Sequence, residues 1–377
     1  MTRPAESTPP PAETGGATPR RVCVVIPHAG GREILPACLR TLREDSGRCR
    51  VLLVDNASPD DSVAAARRDF PFVEVLVQER NLGFAGGCNA GLRVALADPA
   101  CVYAVLLNND TEPQPGWLEA LTALLDAHPR LGAAQPRLLS IPFPGRLDYS
   151  GGAGGLLDVY AFPFALGRVL GHLEEDGENW REPRLIAWAS GTACILRLEA
   201  LREVGLLEES FFMHMEEIDL DWRLRLAGWE IASAPQGRVR HHSGYSLGAE
   251  SPRKILLNHR NSLRMLVRNA GAGTLLRRLP VRLLLDGAAI LSYLAAGRPR
   301  HAWAGLCGVG GWLVALPGDL RARHGIQAGR RVPEALLQLR HYPHSMALAC
   351  RLGGRRTVAE LGWTPPLLVD DREAGHV

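Results

Sequence analysis

Residues 101–113 read CVYAVLLNNDTEP, an apolar run that stops abruptly at Asn108-Asn109-Asp110. A short run without polar alternation is what a strand buried on both faces requires. Its polar end has two readings: ordinary turn punctuation, or a carboxylate delivered by a strand end to a nucleotide site. Working outward, Val22–Ile26 is another such run, and Leu35, Leu39 and Leu42 follow at helical spacing. Strands at 51–54, 72–77 and 101–107 then alternate with helices at 61–69, 87–97 and 116–127. Strict alternation implies right-handed crossovers and a parallel sheet. In such sheets ligands gather beyond the carboxyl ends of the strands. Those ends carry Pro27-His28, Asp55-Asn56, Asn81 and Asn108-Asn109-Asp110, so one sheet edge collects the polar residues.

The 377 residues suit one large domain, or a domain with an appendage. With 46% hydrophobic and 22% charged residues the chain is globular in composition. A net charge of +3 leaves no electrostatic footprint for nucleic acid, which is not expected as a partner. Lys254 is the only lysine; all other basic charge is arginine, which suits bidentate phosphate contacts. Eight scattered cysteines show no metal-like spacing and read as small buried hydrophobes in a reducing cytosol. Residues 1–20 lack the apolar core of a signal peptide and read as a disordered leader.

Beyond the alternating units, residues 141–184 read as an irregular surface excursion, and Ile186–Leu196 as a further strand. Phe211–Gly228 carries conflicting signals. Its apolar residues fall mostly two apart, as in a strand. Its acids come first (Glu216, Glu217, Asp219), its bases later (Arg223, Arg225), and Gly228 stands where a helix would stop. The charge order complements a helix dipole and favours helix. Three polar clusters then account for one another. Asp110 is a hard oxygen ligand; a histidine from His241-His242 can share a divalent cation with it, leaving positions for diphosphate oxygens. A carboxylate from the acidic cluster can serve as a general base.

VLLVDNASPDDS at 51–62, RNLGFAGGCNAG at 80–91, LLNNDTEP at 106–113, ASGTACILRLEALREVGLLEESFFM at 189–213, MEEIDLDWRLRLAGW at 215–229 and VRHHSG at 239–244 together resemble family 2 glycosyltransferases, closest to the rhamnosyltransferase-like branch. The resemblance implies an α/β fold of GT-A type, a Rossmann-like, mostly parallel sheet flanked by helices, over residues 21–270. A C-terminal helical extension (271–345) and a tail (346–377) would follow. It implies an inverting, metal-dependent transfer of a sugar from a nucleoside-diphosphate sugar, with dTDP-rhamnose one candidate. The acceptor would be a hydroxyl of a glycan or lipid-linked acceptor in cell-surface polysaccharide synthesis. Asp110 and His241 would hold Mg2+ or Mn2+, and Glu217 would be the catalytic base, with Glu216 its rival. Pro27, Asp55, Asn81, Gly83, Asn108 and Asn109 would shape the nucleotide-sugar site; Trp188, Gly191 and Glu216 would lie toward the acceptor. The sequence departs from the family pattern at Glu217, where aspartate is usual, at Pro27–Gly31 and at Cys88.

Plainer roles stand beside these. Asp55 could cap a turn with Ser58, and Trp222 reads as core. The glycines of 83–91 follow the third strand rather than the first, so they are not a dinucleotide fingerprint. Two rival functions remain at this level: a sugar-phosphate nucleotidyltransferase, echoed by Gly30-Gly31-Arg32, and an inactive sugar-nucleotide-binding protein. In the C-terminal third, Leu283–Gly297 and Ala302–Gly318 are apolar, flanked by Arg277, Arg278, Arg282, Arg298, Arg300, Arg321 and Arg323. Neither reaches the ~20 residues of a spanning helix. They suit either peripheral association with the inner face of the plasma membrane from the cytoplasm, or packing on the catalytic domain or on a second subunit as a homodimer.

Overall fold

The computed structural model describes residues 20–243 and 251–369; the expected leader, and Gly244 of the histidine motif, lie outside them. The first half folds as the alternation requires: β1 (Val22–His28), α1 (Leu35–Thr41), β2 (Cys49–Asp55), α2 (Ser62–Asp69), β3 (Val73–Val77), α3 (Gly83–Ala97), β4 (Tyr103–Leu107), β5 (Thr111–Pro113) and α4 (Trp117–Ala127). β6 (Leu131–Ser140) follows. An eight-stranded sheet in the order β3-β2-β1-β4-β11-β6-β12-β5 is completed by β11 (Ala193–Arg197) and β12 (Glu230–His241). All its strands run one way except β11 and β5. Val22, Val24 and Ile26 of β1 enter the core on one face of the sheet and Cys23 and Val25 the core on the other, the period-2 alternation of a doubly covered strand. His28 pairs in register with Asp55, which sets the strand ends level.

The segment 141–184 is not a surface excursion. It contains β7 (Gly155–Leu157), β8 (Pro163–Ala165), β9 (Arg168–Val169) and β10 (His172–Leu173), a four-stranded sheet. Leu147, Leu156 and Phe164 from this segment are fully buried in the main core. Strands of two or three residues are too short to show alternation, so composition alone looked loop-like. The expected strand 186–196 is confined to β11; residues 186–192 approach it as irregular chain.

After α5 (Leu198–Val204) comes α6 (Glu216–Leu226), the helix favoured by the charge order. Every residue from Ile218 to Leu226 is buried. A helix covered on all sides has no polar face, which is why its apolar residues lack helical spacing. α7 (Pro252–Asn269), α8 (Ala272–Ala295) and α9 (Pro299–Ala328) pack beside it. α7 and α9 approach closely at Gly308, where a Cβ would lie 2.6 Å from the Leu256 carbonyl oxygen. α10 (Glu334–Gln338) and α11 (Met346–Arg351) complete the helices. Residues expected as tail are also packed: Val358 and Leu361 are buried, and Leu367 bridges Arg184.

Candidate functional site

β5 pairs with the end of β12, placing Thr111 opposite His241. That register brings Asp110, one residue before β5, to the imidazole: Oδ1 lies 3.2 Å from Nε2. Both side chains are buried. Asp148, fully buried in the supposed excursion, holds the other ring nitrogen, its Oδ1 2.9 Å from Nδ1. Ser150 and Ser243 hydroxyls donate to the same carboxylate. Burial opposes a charge on this ring, but the Asp110 and Asp148 carboxylates outweigh it and push its pKa up to about 10.

The arrangement fits a divalent cation. Asp110 Oδ1 is buried without a hydrogen-bond partner. Asp148 orients the ring so that Nε2 faces that oxygen, the usual support for a ligating histidine. No third His, Cys, Asp or Glu completes a cage among the described residues. Two protein ligands, one hard oxygen and one imidazole nitrogen, leave most of a coordination shell for substrate oxygens and water.

The base side reaches the same edge through β11. The Asn108 amide donates to the Thr192 carbonyl, and a Cβ on neighbouring Gly191 would lie 4.0 Å from Glu217 Cβ. Glu217 is only partly exposed, and its Oε2 is out of solvent with no hydrogen-bond partner. Burial pushes its carboxyl up to about 7. Glu216 is buried, and burial followed by repulsion from Glu217 raises its carboxyl well above the ordinary range. Asp219 is buried too, yet Arg223 and Arg268 hold it low against that burial. Among these acids only Glu217 combines a raised carboxyl with partial exposure.

The chain entering α6 is strained: Phe212, His214 and Met215 all have positive φ, which costs about 1–3 kcal/mol per residue. Asn261 of α7 offsets this. It is fully buried, and its amide donates to the carbonyls of Phe211 (3.0 Å), Met213 (2.9 Å) and His214 (2.9 Å). Arg260 also donates to Phe211 O. Asn261→Ala is therefore expected to destabilise the fold by about 2–3 kcal/mol, since buried carbonyls lose their donor. It is also expected to lower kcat at least about tenfold while donor affinity stays within about twofold. Denaturant melts and steady-state kinetics check this; an equal loss in kcat and donor affinity would contradict the positioning role.

At the nucleotide edge several expected residues serve the scaffold. Asp55 Oδ1 accepts from the Ser58 amide, the plainer turn role. Asn56 Nδ2 donates to Asn81 Oδ1 and to Gly83 O, and its own Oδ1 accepts from the Leu82 amide, so it ties β2 to the start of α3. Gly83 opens α3 rather than preceding it; with φ +75° and a Cβ site 2.4 Å from Phe212 O, it admits no side chain. Asn109 Nδ2 is 2.7 Å from His28 Nδ1, and Pro27 sits in β1 opposite Val54. Trp188 is no platform: it is buried, and its Nε1 donates to Leu156 O. Trp222 is core, as expected. The Gly31 and Arg32 amides both donate to Asp60, so the glycine pair is not a free phosphate loop.

A mostly parallel sheet flanked by helices, with its polar strand ends gathered on one edge, is the GT-A architecture. The description Glycosyl transferase family 2 matches residues 23–203. N-acetylglucosaminyl-diphospho-decaprenol L-rhamnosyltransferase of Mycobacterium tuberculosis (strain CDC 1551 / Oshkosh) is 30% identical over 255 residues, 64% of this chain and 81% of that protein. Pre-mycofactocin glycosyltransferase from the same strain is 29% identical over 61% of this chain and 44% of its own length. Among solved structures, GalNAc-T7 with UDP, GalNAc and Mn2+ shares the fold at TM-score 0.52 and 16% identity, covering 66% of this chain and 47% of that one. The chain belongs to glycosyltransferase family 2, in its rhamnosyltransferase-like branch.

Proposed function

We propose that this enzyme inverts the anomeric centre of a nucleoside-diphosphate sugar, with dTDP-rhamnose the expected donor, and transfers the sugar to a hydroxyl of a glycan carried on a lipid diphosphate. The observation that carries this is the meeting of the Asp110–His241 pair with Glu217 at one sheet edge. The named acceptor of the mycobacterial relative supports the lipid diphosphate. Asp110 and His241 would hold a divalent cation, Mg2+ or Mn2+, which when bound would supply positive charge to the leaving diphosphate. Asp148 keeps the His241 ring oriented for that task. Glu217 accepts the proton of the acceptor hydroxyl as its oxygen attacks the anomeric carbon from the face opposite the diphosphate. Asn108, Asn109, Asn81, Gly83, Pro27 and Asp55 shape the nucleotide side; Gly191 lies beside Glu217, while Glu216, expected toward the acceptor, is buried and takes no part in the approach. Incubating the enzyme with a panel of nucleotide sugars, with and without Mn2+, and following donor hydrolysis tests the reading. Equal hydrolysis with and without the cation would remove the metal from it.

We also propose that α8 and α9 rest on an anionic membrane. No helix among the described residues is long and apolar enough to cross one. Instead Leu276, Leu284, Leu291 and Leu294 share one exposed face of α8, and Trp303, Leu306, Leu313 and Val314 one exposed face of α9. Arg277, Arg300 and Arg321 are exposed on the same helices. Not every arginine expected at head groups is available: Arg282 is buried against Asp286, and Arg323 donates to the carbonyls of Val267 and Ala270. The intact enzyme is expected to bind anionic vesicles less as salt rises. Trp303→Glu with Leu306→Glu should weaken that binding about tenfold or more, through lost apolar burial. A dimer dissociated by the same substitutions, without vesicle binding, would assign this face to a second copy.

A further inference from the structure

We propose that Arg168, Tyr149 and Lys254 form a binding site for the diphosphate of the acceptor lipid, beside the Asp110–His241 pair. This rests on the lipid-diphosphate acceptor proposed above. Eight arginines are buried among the described residues. Seven of them donate to a carboxylate or to main-chain carbonyls. Arg168 does neither: its Nε is buried without a partner, although the residue is only 9% exposed. Its guanidinium lies 4.6 Å from the centroid of the Tyr149 ring. Asp148 acts on it only through space, because both of its carboxylate oxygens are engaged by Ser150, His241 and Ser243.

A second cation meets the same ring. Lys254, in the first turn of α7, places its ammonium 5.2 Å from the Tyr149 centroid and has no carboxylate partner among the described residues. Its charge reaches His214, whose pKa is lowered to about 4 by burial and then by Lys254. Tyr149 directly follows Asp148, the support of His241, and His214 directly precedes Met215-Glu216-Glu217. Lys254 therefore lies near both the segment that supports His241 and the segment that leads into Glu217, and Arg168 shares its aromatic ring. Cations on an aromatic face without anionic partners are incompletely neutralised, and a diphosphate supplies the missing charge with several acceptor oxygens. The same helical turn also offers a path for the chain behind that head group. Arg253 and Leu256, one turn apart, line an apolar groove of about 630 Å3 with Pro299, Trp303 and Cys307.

The test is titration of the full-length protein with geranylgeranyl diphosphate, geranylgeraniol, inorganic pyrophosphate and dTDP, repeated for Lys254→Gln and Arg168→Gln. Geranylgeranyl diphosphate is expected to bind at least about tenfold tighter than the alcohol, and each variant to lose about tenfold of that affinity, the scale of a hydrogen bond to a charged group. Tighter binding than pyrophosphate is the mark of a lipid head group rather than a free anion; equal binding of the two would overturn the assignment to the lipid. Unchanged lipid-diphosphate affinity in Lys254→Gln, the more exposed position, would overturn the proposal alone. Equal losses for dTDP and the lipid would assign the cations to the donor and overturn it too. If the wild type binds dTDP but no lipid diphosphate, the lipid-linked acceptor itself falls.

Discussion

Glu217→Gln is expected to lower transfer by about 10²- to 10⁴-fold while leaving donor affinity nearly intact, the range for loss of a positioned general base. The amide matches the carboxylate in size but cannot take the acceptor proton. Glu216→Gln should do far less, because Glu216 is buried and does not open to the cleft. A larger loss in Glu216→Gln would place the base one residue earlier. The pH profile carries the same assignment. Burial lifts the Glu217 carboxyl to about 7, and a base works only when deprotonated, so kcat/KM should fall as pH drops through 7. The stability consequence has the opposite sense. The native carboxyl binds its proton more tightly than the unfolded one, so its contribution is present below the unfolded value and is lost as pH rises through about 7. Wild type should therefore lose stability relative to Glu217→Gln as pH rises from 5 to 7, measurable by paired denaturant melts.

Asp110→Asn is expected to reduce turnover about 10³-fold, several kcal/mol of charge stabilisation, and to abolish the cation-dependent part of donor binding. The asparagine keeps the shape at the start of β5 but removes the anionic oxygen that lies 3.2 Å from His241 Nε2. Folding stability should also fall, since the substitution removes one of the two carboxylates that keep the buried His241 ring charged. Donor titrations with and without Mn2+ check it. A variant that retained both turnover and the Mn2+ effect would take Asp110 out of the metal site.

The sheet and its polar edge were legible because buried strands write themselves as unbroken apolar runs, and because Asp110 and Glu217 lie inside contiguous motifs. What was not legible depends on distant partners. Asp148 supports a histidine 93 residues away and sits in a segment whose two-residue strands give no periodic signal. Asn261 acts on carbonyls nearly fifty residues upstream, and nothing local distinguishes it from a surface asparagine. A strand over 186–196 would lead Trp188 toward the acceptor, but the chain there is irregular and the indole turns into the core to bond Leu156 O. Arg282 did leave a clue, since Asp286 stands four residues later on the same helix, the spacing of an internal ion pair.

Having a single lysine gives the molecule an unusual chemical property. Reagents that acylate amines find one ε-amino group in this sequence, and it lies against Tyr149, the neighbour of Asp148. A fluorophore or crosslinker attached there would report from the proposed acceptor site, without engineering a cysteine into a chain that already carries eight. The arginine-rich remainder of the surface stays unmodified, so its charge, and any attraction to lipid it provides, survives the labelling.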